Sequence, residues 1–129
     1  MRLLLDTHAV VWWWLDVPRL PAKARAAIAA ADNVVCVSAA SAWEVATKNH
    51  LGKWPDVARF ADEFPDLLRR SRFAPLSVSV EHVRLAGALQ GEHKDPFDRM
   101  LIAQSKQECA VLVSADPVFR QFGVEVIWD

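Results

Sequence analysis

Short unbroken apolar runs alternate with amphipathic stretches along this chain. Leu3-Leu4-Leu5, Val34-Val35-Cys36-Val37 and Ala110-Val111-Leu112-Val113 each stop at a polar residue, as strands buried on both faces do. Thr7 to Leu15 reads as a helix, and the Pro18 to Pro21 stretch breaks the pattern. Pro21 suits the first turn of an alanine-rich helix to about Ala31, before turn chemistry at Asp32-Asn33. Ser38 is placed to cap a helix that carries Trp43, Glu44 and Lys48 and stops near Gly52. Val57, Phe60, Phe64 and Leu67 or Leu68 predict a helix from about Asp56 to Arg70, kinked or split at Pro65. Phe73 to Leu76 is a weak strand candidate, and Ser79 caps a helix reaching about Gln90. After a polar loop from Gly91 to Lys94, Asp95-Pro96-Phe97-Asp98 opens a helix ending near Glu108. A short helix from Asp116 to Phe122 and a strand from Val124 to Trp128 complete the pattern.

Strands alternating with helices predict right-handed crossovers and an α/β fold in three layers, helices flanking a mostly parallel sheet of about five strands. Ligands of such folds bind outside the carboxyl ends of the strands, where strand order reverses. Asp6 and Asp116 follow two of the apolar runs, while Glu44 and Asp98 lie on helices. If the two runs are neighbouring parallel strands, all four acids converge at one sheet edge. Each close pair of carboxylates then repels by roughly 4 kcal/mol at an effective dielectric near 20. A divalent cation is the usual remedy, which points to a metal-dependent hydrolase.

Each acid also has an ordinary reading. Asp6, Asp95 and Asp116 stand where helix caps stand, the last two directly before proline. Glu44 has Ser41, Thr47 and Lys48 one turn away, a polar face with a good helix ion pair. Asp98 complements a helix dipole, yet shares its stripe with Leu101 and Ile102, which makes an unpaired carboxylate costly there. The functional reading rests on the conjunction. A histidine mechanism would need two poised imidazoles. His8 adjoins the first acid as a supporting group, while His50, His82 and His93 read as surface residues.

Composition adds bounds. With 129 residues, 53% hydrophobic and 24% charged, the chain reads as one domain spanning residues 1–129 with a substantial core. The net charge of −1 gives no global footprint for nucleic acid, although neutralising the four acids would leave +3. Cys36 and Cys109 sit far apart in apolar surroundings and read as buried thiols in a reducing cytoplasm. Asp6 interrupts the N-terminal apolar stretch, so it does not read as a signal peptide, and the run Ala9 to Leu15 is too short to span a bilayer. Trp12, Trp13 and Trp14 cannot all face one core, since successive helical side chains diverge by about 100°. Their exposed part is either an ordinary boundary or a partner surface.

Four strings carry a family likeness: Leu4-Leu5-Asp6-Thr7-His8, Ser41 through Lys48 (SAWEVATK), Asp95 through Gln104 (DPFDRMLIAQ), and Ser114-Ala115-Asp116. In this order and spacing they resemble PIN-domain ribonucleases, and more narrowly the VapC toxins of bacterial toxin–antitoxin pairs. The resemblance implies that Asp6, Glu44, Asp98 and Asp116 hold Mg²⁺ or Mn²⁺. It places Thr7 and Ser114 as supports, with Ser114 standing where the family often has Thr, and Asp95 as an additional acid beside the site. It further implies a PIN-like sheet, a homodimer, and a small antitoxin partner. All-oxygen ligands suit a hard cation, and hydrolysis of RNA by a metal-activated water follows. Lys48 and Arg99 are the candidates for substrate phosphate, or for pairing with the local acids.

Other acid-clustering folds fit less well. A flap-type DNA nuclease would want an added arch or DNA-binding segment. A receiver-like domain would want paired acids by the first strand and a lysine after a late one. A dehalogenase-type phosphatase would want a second acid two residues beyond Asp6, where His8 stands. A catalytically silent PIN-fold binding module is opposed by the intact set of four acids.

Overall fold

The computed structural model describes residues 1–129. Five strands form one parallel sheet: β1 (Arg2–Leu5), β2 (Val34–Ser38), β3 (Ala74–Leu76), β4 (Val111–Val113) and β5 (Val126–Ile127). Their order across the sheet is β3-β2-β1-β4-β5, and every neighbouring pair is parallel. The chain thus winds outward from β1 in one direction, then returns to place β4 on its other side. The reversal falls between β1 and β4, where Leu5 is in register with Val113.

Side-chain alternation divides the core. Leu3, Leu5, Val35, Val37, Val111 and Val113 face one layer, while Leu4, Cys36 and Leu112 face the other. The first layer holds α1 (Thr7–Leu15), α2 (Ala22–Ala29), α3 (Ala39–His50), α4 (Ala58–Ala61) and α5 (Phe64–Ser71), through residues such as Val10, Ile28, Val45, Phe60 and Leu68. The second is built on α7 (Pro96–Glu108) and α8 (Val118–Gln121), through Leu101, Ile102 and Phe119. Helix α6 (Val80–Ala88) packs along α7.

The helix expected over residues 56–70 is in fact a 3₁₀ turn (Pro55–Val57), α4 and α5. Pro65 falls in the first turn of α5, where its missing N–H has no partner to lose. The last strand pairs over two residues only. Cys109 is not buried: it is the exposed C-cap of α7, held at φ 52° in the left-handed region. The apolar context of its neighbours belongs to β4, which begins two residues later. The three tryptophans of α1 are all half-buried. Trp12 contacts His8 and Trp128, Trp13 lies against Phe73, and Trp14 packs on Phe60 and Phe64 while its indole N–H donates to Ser71.

Candidate active site

At the reversal point, one cavity of about 190 Å³ is lined by Asp6, Thr7, His8, Glu44, Lys48, Asp95, Asp98, Asp116 and Phe119. Eight of these, all but Phe119, were expected from sequence as site or supporting groups, and they come from four separate segments of the chain. Asp6 leaves β1 with its amide donating to the Val113 carbonyl (3.1 Å) and caps α1 by accepting from the Ala9 amide (2.7 Å). Capping and cleft placement therefore coexist in one residue. Burial pushes its carboxyl up to about 7, aided by the negative charges of Asp98 and Glu44 and opposed by hydrogen bonds from Ser114 and Ala9.

Glu44 is 6% exposed. The polar face that made it look ordinary is turned inward: Ser41 is buried, and its hydroxyl accepts from Thr7 at 3.0 Å, joining α3 to α1. The Lys48 ammonium meets Glu44 at 2.5 Å and lies over the Trp54 ring. Asp98 opens α7, whose amides at Phe97 and Asp98 donate to the Asp95 side chain. Asp95 is thus a helix cap at the cleft wall. Burial raises the Asp98 carboxyl, the His93 hydrogen bond lowers it, and Asp95 and Glu44 raise it further. Asp116 is exposed; its carboxylate accepts from Val118 and its amide donates to the Ser114 hydroxyl (both 3.0 Å).

Two expectations need correction. Arg99 does not face the cleft. Its guanidinium donates to the carbonyls of Ala86 (3.0 Å), Leu89 (2.7 Å) and His93 (3.0 Å), so it holds backbone and is spent before any phosphate arrives. His82 is not a surface residue, and His93 is only half-exposed. His82 is buried in the capping box of α6 and bonds Glu108, and His93 meets Asp98 at 2.8 Å. Sequence spacing carried no sign of either pairing, because both partners come from another helix. His8 sits against Trp12 and Trp54, and burial lowers its pKa, which favours the neutral ring.

A sequence profile of the PIN domain matches residues 3–125. The chain belongs to the PIN-domain family. Ribonuclease VapC16 of Mycobacterium tuberculosis is 44% identical over 69 residues, which make up 50% of this chain and 49% of that protein. The match therefore spans about half the length of that curated relative. Among solved structures, VapBC2 from Rickettsia felis, bound to a DNA fragment from its promoter, superposes with a TM-score of 0.73 at 18% identity over 100% of both chains. VapC20 of M. tuberculosis, described as a sarcin–ricin loop cleaving toxin, gives 0.71 at 14% identity, covering 98% of this chain and 99% of that one. At these identities the likeness establishes the PIN fold, including the three-layer arrangement.

The donor set of this PIN domain fits a hard divalent cation: carboxylate oxygens, those of Asp6 and Glu44 on buried residues, with no thiol in the cleft. No three acidic, imidazole or thiol groups are yet gathered closely enough to hold an ion together. The partners explain this spacing. Lys48 engages Glu44 and His93 engages Asp98, so two of the four carboxylates already have a counter-group.

Proposed function

We propose that this PIN domain, with residues 1–129 acting as one unit, is a metal-dependent endoribonuclease and the toxin of a cytoplasmic toxin–antitoxin pair. The observation that carries this reading is the convergence of Asp6, Glu44, Asp98 and Asp116 on one cavity at the strand-order reversal. The ribonuclease name of the relative matched over half its length supports the activity, and toxin–antitoxin complexes of like fold support the partner. No helix is long and apolar enough to cross a membrane.

The four carboxylates would hold Mg²⁺ or Mn²⁺, with Ser114 fixing the turn that bears Asp116 and Thr7 tying α1 to the helix that bears Glu44. A bound cation supplies an activated water and offsets negative charge on the scissile phosphate. Lys48, the cation at the cleft, is positioned to meet a phosphate once Glu44 turns to the metal. The half-buried aromatics Trp12 and Trp54 pack against the ring of His8, which lines the cleft.

A protein partner has a surface to cover. Ala39, Ala40, Trp43, Val83, Phe97 and Met100 line an apolar groove of about 380 Å³, and Trp43 is 62% exposed. Trp43 and Phe97 immediately neighbour Glu44 and Asp98 in sequence, so a subunit or antitoxin on this groove would border the cleft. The Trp12–Trp14 run, each with partners inside the chain, is the weaker candidate for such a surface.

Excess EDTA should abolish cleavage of a single-stranded RNA, and added Mg²⁺ or Mn²⁺ should restore it. Full activity in EDTA would overturn the metal mechanism.

A further inference from the structure

We infer that His93 is a positioning residue that orients Asp98 for the cation, and that Arg99 holds the loop from which His93 acts. This rests on the metal-dependent reading above and assigns a role within it. His93 Nε2 meets Asp98 Oδ2 at 2.8 Å, the ring N–H donating when Asp98 is the carboxylate that a cation needs. That bond occupies one carboxylate oxygen and leaves Oδ1 for the cleft. A carboxylate fixed this way offers a cation one oxygen in one direction.

His93 comes from the short segment between α6 and α7, which has little regular structure of its own. Three contacts restrain it. Arg99, adjacent to Asp98 on α7, donates from one guanidinium to carbonyls at the end of α6 and to that of His93 itself. The His93 ring stands edge-on to Phe122 at 6.4 Å between centroids. Gly91, at φ 114°, makes the turn close to Phe122, with a methyl-sized position only 3.4 Å from that ring. The chain thus fixes an imidazole against a carboxylate through a rigid planar fork. Arginine suits this duty because its donors have fixed mutual geometry.

The arrangement also places His93 at the wall between two spaces. On one side is the acidic cleft that Asp98 lines; on the other is an open groove of about 680 Å³ bordered by Gly87, Gly91, Glu92, His93, Lys94 and Arg99. Without the His93 bond, Asp98 would be free to turn toward this open groove. Groups that hydrogen-bond a ligating carboxylate typically change metal affinity by about 10–100-fold when removed.

The test compares His93→Gln with His93→Asn, titrating each and the parent protein with Mn²⁺ by calorimetry and following thermal unfolding in EDTA. Both variants carry an amide, but only glutamine reaches the position of Nε2. Mn²⁺ affinity within a few-fold of the parent for glutamine, and at least about tenfold weaker for asparagine, is the expected result. Equal affinities for all three proteins would overturn the assignment while leaving the metal site intact. Equal losses in both variants, with matching loss of Tm in EDTA, would make His93 a loop-folding residue and overturn it too. A parent protein that cleaves RNA without binding Mn²⁺ would instead remove the metal reading itself.

Discussion

The two ends of α7, about 20 Å apart by helix geometry, handle charge in opposite ways. At the carboxyl end, Glu108 accepts from Arg2 (3.3 Å) and bonds buried His82 (3.0 Å), so one acid answers two basic groups. This pairing also offsets the unfavourable meeting of an acid with the helix's negative pole. At the amino end, Asp95 and Asp98 enjoy the positive pole but share a cavity with Asp6, Glu44 and Asp116, against Lys48, His8 and the neighbouring His93. One end is balanced for stability. The other holds surplus negative charge, which only something brought from outside can offset.

Asp98→Asn tests the surplus most severely. Cleavage should fall a hundredfold or more, the loss of several kcal/mol of charge stabilisation at the reacting phosphate. Metal-free Tm should stay level or rise, because one member of a repelling set has gone. Mg²⁺ should then stabilise the parent protein more than the variant, by mass action. Normal cleavage by the variant would reduce Asp98 to a helix-start residue.

The pH dependence follows from the same imbalance. Asp6 titrates at about 7 in the fold against 3.8 as a free side chain, so the folded state prefers its proton. Stability from this group is complete below about pH 4 and is lost as pH rises through 7, by up to about 4 kcal/mol. Asp98, also raised, acts in the same direction. Metal-free protein should therefore unfold at lower urea at pH 8 than at pH 5, and saturating Mg²⁺ should reverse much of that loss at pH 8. A flat profile in EDTA would mean the cleft is wetter than its burial indicates.

How the two ends read from sequence follows from what each rests on. Asp6 and Asp116 were legible because buried strands announce themselves as unbroken runs such as Leu3–Leu5 and Val111–Val113, and an acid at the end of one stands out. Glu44 was not distinguishable by pattern, since periodicity identifies apolar faces and α3 buries a polar one through Ser41 and Thr7. His82, His93 and Arg99 were misplaced for a related reason. Their partners are backbone carbonyls and acids on neighbouring elements, which no local spacing encodes. The split of residues 55–71 into three pieces likewise depends on how Val57, Phe60 and Phe64 each reach the same core.

Glu108→Ala probes the balanced end. It strands the buried His82 Nε2 and frees Arg2, which should cost about 1–2 kcal/mol. RNA cleavage per folded molecule should not change, since Glu108 lies a helix length from the cleft. A loss of activity at unchanged stability would mean that the ends of α7 are coupled and the contrast between them is false.

The smallest effect concerns how α7 stops. Cys109 ends it with φ 52° and ψ 45°, a conformation that strains any residue bearing a Cβ and that glycine adopts freely. Cys109→Gly should therefore stabilise the protein by about 0.5–1 kcal/mol, the relieved strain outweighing the extra freedom glycine has when unfolded. In a chain of this size that is a rise of a few degrees in Tm. Cys109→Ala keeps the Cβ and removes only the exposed thiol, so its Tm should match the parent protein. Equal gains in both variants would trace the effect to thiol chemistry, and a loss with glycine alone would show that the cap is already relaxed. Neither change should alter Mn²⁺ binding, because the cleft is set by the opposite end of the helix.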